Sequence, residues 1–395
     1  MADTRGVVVL SGVGTAIGDY GGSLKSFFPT DLGAMVVKEA IKRSNVDPGQ
    51  IGQGVIGNVI HTQPKDMYVS RLSCVNGGMS HDSGALTVNR LCGSGMQAIV
   101  CAAQMIMLGD TDFAVGGGVE SMSNAAYSMP NARWGVRMGD TQLIDMMVGA
   151  LTDPFDTVHM GVTAENVAEK WGIQRQEQDE FAVESHRRAA AAIAAGHFKE
   201  QILPIEVKSR KGVTVFDTDE HVRGDASVEG MQKLRAAFKK DGTVTPGNAS
   251  GINDGAAALV LADAATAEKQ GLKPMARLVT YGIAGVDPSL MGEGPIPATK
   301  LALQRAGLKI GDIDVVEANE AFAAQALAVC KGLEFDNDKT NPNGGAIALG
   351  HPIGATGALI TVKALYELQR IGGRYALITM CIGGGQGIAA IFERM

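Results

Sequence analysis

Asn89-Arg90-Leu91-Cys92-Gly93-Ser94-Gly95-Met96-Gln97-Ala98 opens the passage that decides the fold. Residues 96–108 carry no charge and no proline, so the passage reads as a loop feeding the first turn of a buried helix. Gly109 closes that helix, Asp112-Phe113-Ala114-Val115 follows as a strand, and the triplet Gly116-Gly117-Gly118 comes next. The same phrase returns late in the chain. Residues 354–371 form a glycine-led helix, 374–379 a strand, and Gly383-Gly384-Gly385 a second triplet.

A second phrase recurs in the same order. Thr30-Asp31-Leu32-Gly33 opens a helix with Leu32, Met35, Val36, Ala40 and Ile41 at helical spacing. A turn at 46–51 and a strand at 54–60 follow. Their echoes are the helix 297–306, the turn 308–313 and the strand 315–319. Residues 7–10 add a buried strand at the start. Two halves on one plan predict a pseudo-duplicated α/β fold. Residues of about 122–250 depart from that plan, Met-rich at first (Met122, Met129, Met138, Met146, Met147, Met160) and then strongly charged. A polar-faced helix is expected at 177–195, and exposed turns at 208–212 and 217–223. This is a segment inserted into the first half, over the sheet edge where binding groups sit.

Composition sets outer limits. The chain has 395 residues, 45% of them hydrophobic but 5% aromatic, with 52 glycines, which suits closely packed layers of helix on sheet. A net charge of −7 without a dense Lys/Arg run argues against nucleic acid. Gly, Ser and Asn break the nearly uncharged stretches short of a clean apolar run of about 18 residues, so no membrane span is expected. Neither a signal h-region nor a peroxisomal address is found. Cys74, Cys92, Cys101, Cys330 and Cys381 are odd in number and lack CxxC spacing. That speaks against a disulfide framework or a zinc site and for the reducing cytoplasm.

Several stretches lack a structural excuse. Cys92 sits where a helix macrodipole favours the thiolate, and the glycines beside it let backbone or ligand approach. His351 stands between a glycine and a proline on the approach to a helix, following Asn341-Pro342-Asn343-Gly344-Gly345. Cys381 ends a strand just before side-chain-free backbone at 383–385. Glu317-Ala318-Asn319-Glu320-Ala321-Phe322 drops polar groups into an apolar junction. A thiol nucleophile needs a base, a second half-reaction needs a second proton-transfer group, and a tetrahedral intermediate needs oxyanion donors. Cys92, His351, Cys381 and the Gly383 turn offer all of these together. A dinucleotide reading of the glycine triplets fails on spacing and lacks the partner acid about 20 residues on.

At these residues the sequence resembles the thiolase family over essentially its whole length. The resemblance rests on 89–95, 159–166, 247–256, 319–322, 350–357 and 381–387, and within the family it is nearest to bacterial short-chain β-ketothiolases or acetyl-CoA acetyltransferases. It implies a five-layer αβαβα fold with halves at 1–272 and 273–395, a loop domain inserted at about 122–250, and a homotetramer built as a dimer of dimers. It also implies roles. Cys92 would be acylated and His351 would take its proton, while Cys381 would deprotonate the second acetyl-CoA. Asn319, through a water, and His351 would form one oxyanion hole, and the N–H groups of Cys92 and Gly383 the other. Coenzyme A would lie near Leu151, His159, Met160, Arg223 and Ser250, with Met291, Ala321 and Phe322 at its acyl end and His186 on its adenine side. Acyl-CoA and free coenzyme A are thus substrates, and no metal or redox cofactor is implied.

Gly14 stands where the family commonly has arginine, which bears on local stability or subunit packing. Two rival readings are weighed. Ketoacyl synthases usually carry histidine or asparagine where this chain has Cys381. A coenzyme A-binding carrier with a dead site would have lost one of Cys92, His351, Asn319 or Cys381. The expected products have four carbons, with five tolerated when acetyl-CoA meets propionyl-CoA, because Met160 crowds longer chains.

Overall fold

The computed structural model describes residues 5–210 and 212–395. The frame consists, in chain order, of β1 (Val7–Thr15), α1 (Pro29–Ser44), β2 (Ile51–Gly57), α2 (Val69–Asn76), β3 (Gly84–Val88), α3 (Ser94–Leu108) and β4 (Phe113–Ser121). The inserted segment contributes α4 (Met160–Trp171) and α5 (Arg175–Ala195). Then come β5 (Asn253–Asp263), β6 (Ala276–Gly285), α6 (Pro295–Ala306), β7 (Val315–Ala318), α7 (Ala323–Leu333), α8 (Thr356–Ile371), β8 (Tyr375–Ile382) and β9 (Gln386–Arg394).

The strands follow the path β7-β8-β9-β6-β1-β5-β4-β2-β3. At β6–β1 the path is held by two residue pairs, Val8–Arg277 and Val9–Ala276, and there it divides into two sheets. Each sheet repeats one pattern: a parallel pair (β2 with β4, β7 with β8), then two antiparallel neighbours. α1 and α2 cover the outer face of the first sheet, and α6 and α7 that of the second. α3 and α8 lie between the sheets and touch both, which makes five layers, αβαβα.

Glycines make that central layer possible. A Cβ on Gly118 would lie 2.3 Å from the Gly354 carbonyl oxygen, and one on Gly357 would lie 2.4 Å from the Met96 nitrogen. The N-termini of α3 and α8 therefore meet backbone to backbone. The two glycine triplets are not equivalent, however. Gly116–Gly118 lies inside β4, whereas Gly383–Gly385 forms the turn between β8 and β9, with φ of +80° at Gly384 and +82° at Gly385.

Some boundaries differ from expectation. β1 runs on to Thr15, paired along most of its length with β5. β2 stops at Gly57 because buried Glu120 accepts hydrogen bonds from Val59 N (3.1 Å), Ile60 N (3.1 Å) and Asn58 Nδ2 (3.0 Å), which pulls the chain out of the sheet. The stretch Leu91–Leu108 has a mean hydropathy of 1.6 and meets the length and composition of a membrane span, contrary to the sequence reading. It owes that hydropathy to its place between two sheets.

The turn at 208–212 is exposed and joins the hairpin Ile205–Ser209/Gly212–Phe216, with Lys211 outside the described residues. The stretch 217–223 is not a free turn. Asp219 accepts from Ile17 N (2.7 Å), Glu220 accepts from Asp19 N (2.8 Å), and the segment is strapped onto the first half. Gly14 is buried, and a Cβ there would lie 2.7 Å from Leu359 Cδ2, so a larger side chain would have to displace the end of Leu359.

Candidate active site

Cys92 stands on a bend. Leu91 before it has φ +45°, a left-handed conformation that a leucine rarely adopts. The Ser94 hydroxyl fixes the bend by donating to Leu91 O (2.6 Å) and accepting from Arg90 N (2.8 Å). α3 starts at Ser94, so the sulfur sits just off the helix terminus rather than in its first turn. Its protonation also departs from the sequence reading. Desolvation pushes the thiol up to about 11, more than the N–H groups of Gly383 and Cys92 lower it. At neutral pH the sulfur keeps its proton, and a base must remove it.

His351 lines the same cavity as Cys92. Its backbone N donates to Asn253 Oδ1 (2.9 Å), and Gly350 before it adopts φ +110°, where a Cβ would lie 2.6 Å from Asn253 Cγ. The ring lies 2.7 Å through Nδ1 from the Thr356 hydroxyl, which in turn donates to Pro352 O at 2.9 Å. That hydroxyl has one proton, already committed to Pro352, so it accepts from Nδ1–H and leaves the lone pair on Nε2. Burial lowers the imidazole to about 4, so it is neutral and able to take a proton.

Asn319 follows β7 and brings Nδ2 to 3.4 Å from His351 Nε2. Asn341 clamps the strand end, accepting from Ala318 N (2.9 Å) and donating to Ala318 O (2.8 Å). The Asn319 Oδ1 is buried with no hydrogen-bond partner, an acceptor open to a water. Cys381 in β8 is fully buried among Met160, Ala249, Met291 and Phe322. Burial and the neighbouring Cys92 raise its thiol far above the ordinary range.

A cavity of about 410 Å³ opens over this group, with Cys92, His351 and Gly383 on its wall. Leu151, His159, Met160 and Arg223 reach it from the inserted segment. Ser250, Met291, Ala321 and Phe322 line it from the second half and the chain leading into β5. A Cβ on Gly383 would lie 2.7 Å from Met160 Cε, so the backbone there meets the methionine directly. His159 stacks on Phe238 at 4.6 Å, and Phe238 meets Phe322 edge-on at 6.2 Å. Cys381 and Asn319 lie behind the wall. His186 does not reach the cavity and instead accepts from Arg223 N (3.2 Å), with burial lowering its pKa to about 4.

Among the wall residues that the sequence reading did not name as candidates are Phe238 and His221. Phe238 is the lone aromatic of a charged stretch, which was a usable signal. His221 gave none, because its partner Asp19 lies 202 positions away. Among the described residues no group of three or more His, Cys, Asp or Glu side chains could hold a metal ion.

Residues 7–265 match the family described as thiolase, N-terminal domain, and residues 272–394 that described as thiolase, C-terminal domain. The chain is 66% identical over 393 residues to beta-ketothiolase BktB of Cupriavidus necator, covering 99% of this chain and 100% of that one. It is 50% identical over 399 residues to an acetyl-CoA acetyltransferase of Syntrophomonas wolfei, with 99% and 100% covered. The structure superposes on human mitochondrial 3-ketoacyl-CoA thiolase with a TM-score of 0.97 at 46% identity, covering 99% of each chain. A second structure of that enzyme, in complex with CoA, gives 0.96 at 45% identity, covering 99% of this chain and 98% of the other.

Proposed function

The chain belongs to the thiolase family, and from that premise we propose how its cavity carries out the reversible condensation of two acyl-CoA molecules and the reverse thiolysis of 3-ketoacyl-CoA. His351 Nε2 takes the proton from Cys92 as the sulfur attacks the thioester carbonyl. The tetrahedral intermediate collapses, the bond to coenzyme A breaks, and the departing sulfur takes the Cys381 proton, so coenzyme A leaves as the thiol, Cys381 is left as the thiolate and the Cys92 proton stays on His351. The N–H groups of Cys92 and Gly383, which act on this sulfur, hold the oxyanion. Cys381 then removes a proton from the α-carbon of the second acetyl-CoA. Asn319, through a water on its open Oδ1, shares the enolate oxygen with His351. The carbanion attacks the acyl-Cys92 carbonyl, a C–C bond forms, the bond to the Cys92 sulfur breaks, and that sulfur recovers its proton from His351 while Cys381 keeps the one from carbon.

The observation that supports these roles is that Cys92, His351 and Gly383 line one cavity, with the His351 ring tied through Nδ1 to Thr356 and its lone pair left on Nε2. Coenzyme A thioesters are substrates, and no resident cofactor is needed, since thiol, imidazole and backbone donors complete the proton balance. Coenzyme A lies along the walls formed by Leu151, His159, Met160, Arg223, Ser250, Met291, Ala321 and Phe322. His186 acts on it indirectly, through the Arg223 backbone.

The division into 1–272 and 273–395, with the insertion at about 122–250, is part of this reading. So are a homotetramer and a place in the cytoplasm, supported by exposed apolar side chains in the insertion and five free cysteines.

The test is peptide mass after brief mixing with acetyl-CoA alone. An acetyl group on the Cys92 peptide, removed by free coenzyme A, is expected, and Cys381→Ala should acquire it yet fail to turn over. No adduct on wild type, or full turnover by Cys381→Ala, would sink the assignment. In the same assay acetoacetyl-CoA should be cleaved faster than 3-ketovaleryl-CoA and both faster than 3-ketohexanoyl-CoA, because Met160 walls the acyl end.

A further inference from the structure

The strap at 217–223 is tied down at four successive anchor points. Asp219 accepts from Ile17 N at 2.7 Å, and Glu220 accepts from Asp19 N at 2.8 Å and from the Ser23 hydroxyl. His221 Nδ1 lies 2.6 Å from Asp19 Oδ1, and His186 holds the Arg223 nitrogen from the other side. Asp19 Oδ1 is also 3.3 Å from Asn253 Nδ2, and Asn253 Oδ1 is the acceptor for the His351 backbone. One chain of hydrogen bonds thus runs from the cavity rim to the base. So much anchoring for a segment outside both sheets needs a reason.

His221 supplies one. Its ring lies against Gly251, where a Cβ would be 2.8 Å from Cε1, and both residues line the cavity. A carboxylate only accepts, so Nδ1 donates to Asp19 and the ring cannot turn freely. Nε2 then has no hydrogen-bond partner among the described residues. On the cavity wall His351 is buried and Cys92 partly buried, whereas Arg223 beside His221 is exposed. A thioester whose carbonyl sits at Cys92 must therefore send its far, nucleotide-bearing half out past this rim.

We propose that His221, fixed by Asp19, positions the nucleotide half of coenzyme A through a hydrogen bond at Nε2. This rests on the cavity being the coenzyme A site, as in the function above. The shared Asp19–Asn253 acceptor ties that rim contact to the loop bearing His351.

The experiment compares coenzyme A with pantetheine as acceptor thiol in the cleavage of acetoacetyl-CoA. Wild type should show the lower KM with coenzyme A. His221→Ala should raise the KM for coenzyme A about three- to tenfold, the loss of one hydrogen bond, with kcat moving less. The KM for pantetheine should not follow, since that thiol lacks the nucleotide. His221→Gln, whose amide reaches toward the Nε2 position, should recover part of the loss. His221→Asn, which can still donate to Asp19 but ends short of Nε2, should not.

Equal changes with both thiols, no change with either, or full recovery in His221→Asn would overturn the proposal and leave the ring a structural anchor. If wild type itself fails to favour coenzyme A, the placement of the nucleotide half at this rim is what fails.

Discussion

The Thr356 hydroxyl decides which nitrogen of His351 works. Because it donates to Pro352 O and accepts from Nδ1–H, the lone pair is held on Nε2, the nitrogen facing Asn319. Thr356→Val keeps the shape and removes that acceptor, so the buried Nδ1–H loses its partner and the tautomer its lock. The expected result is a fall in kcat of about 10- to 100-fold, from losing about 1.5–3 kcal/mol of orientation, with acetyl transfer to Cys92 slowed in parallel. A variant with wild-type kcat would show that the ring orients itself. Cys92, His351, Cys381 and Asn319 could be singled out as candidates in the sequence because each is a reactive or polar residue set in glycine-rich or apolar chain. Thr356 and Asn253 could not. Their partners become visible only once the turn before α8 meets the start of β5.

Among the elements, helix and strand spacing foretold most of the frame, including the echo of α3–β4 in α8–β8. What spacing could not foretell is where one element intrudes on another. Glu120, inside β4, ends β2 and also accepts from Gly354 N at 2.9 Å, so one carboxyl holds the loops that approach both central helices. Gly118 two residues earlier is where the Gly354 carbonyl rests. A Cβ there meets backbone on every side, including the Ala355 and Gly95 Cα atoms at 3.0 Å, and no rotamer can relieve it. Gly118→Ala should cost at least about 2 kcal/mol in urea unfolding. Gly149→Ala, where a Cβ meets nothing within 4 Å, should cost nothing measurable. Equal stabilities for the two would mean that the central layer is looser than its distances imply.

For the whole molecule, the inserted segment leaves apolar side chains in solvent: Trp134 is 81% exposed, Met138 97% and Leu143 64%. Three such residues within ten positions are a surface meant to be covered. In the homotetramer proposed above this surface is covered, and light scattering should then return about four times the 41.1 kDa of one chain. Trp134→Glu with Leu143→Glu should give a smaller particle that still takes acetyl on Cys92. A single-chain mass for wild type would refute the assembly.

The seam between the halves has one more consequence. Cys92, the proposed nucleophile, belongs to the half made first, and His351, Asn319 and Cys381 to the half made last. During synthesis the thiol exists for over two hundred residues of chain growth without His351, the base proposed for it. On the proposed roles this arrangement is a safety catch: the proton acceptor for Cys92 arrives only when the second half docks, so a half-made chain lacks the means to capture stray thioesters.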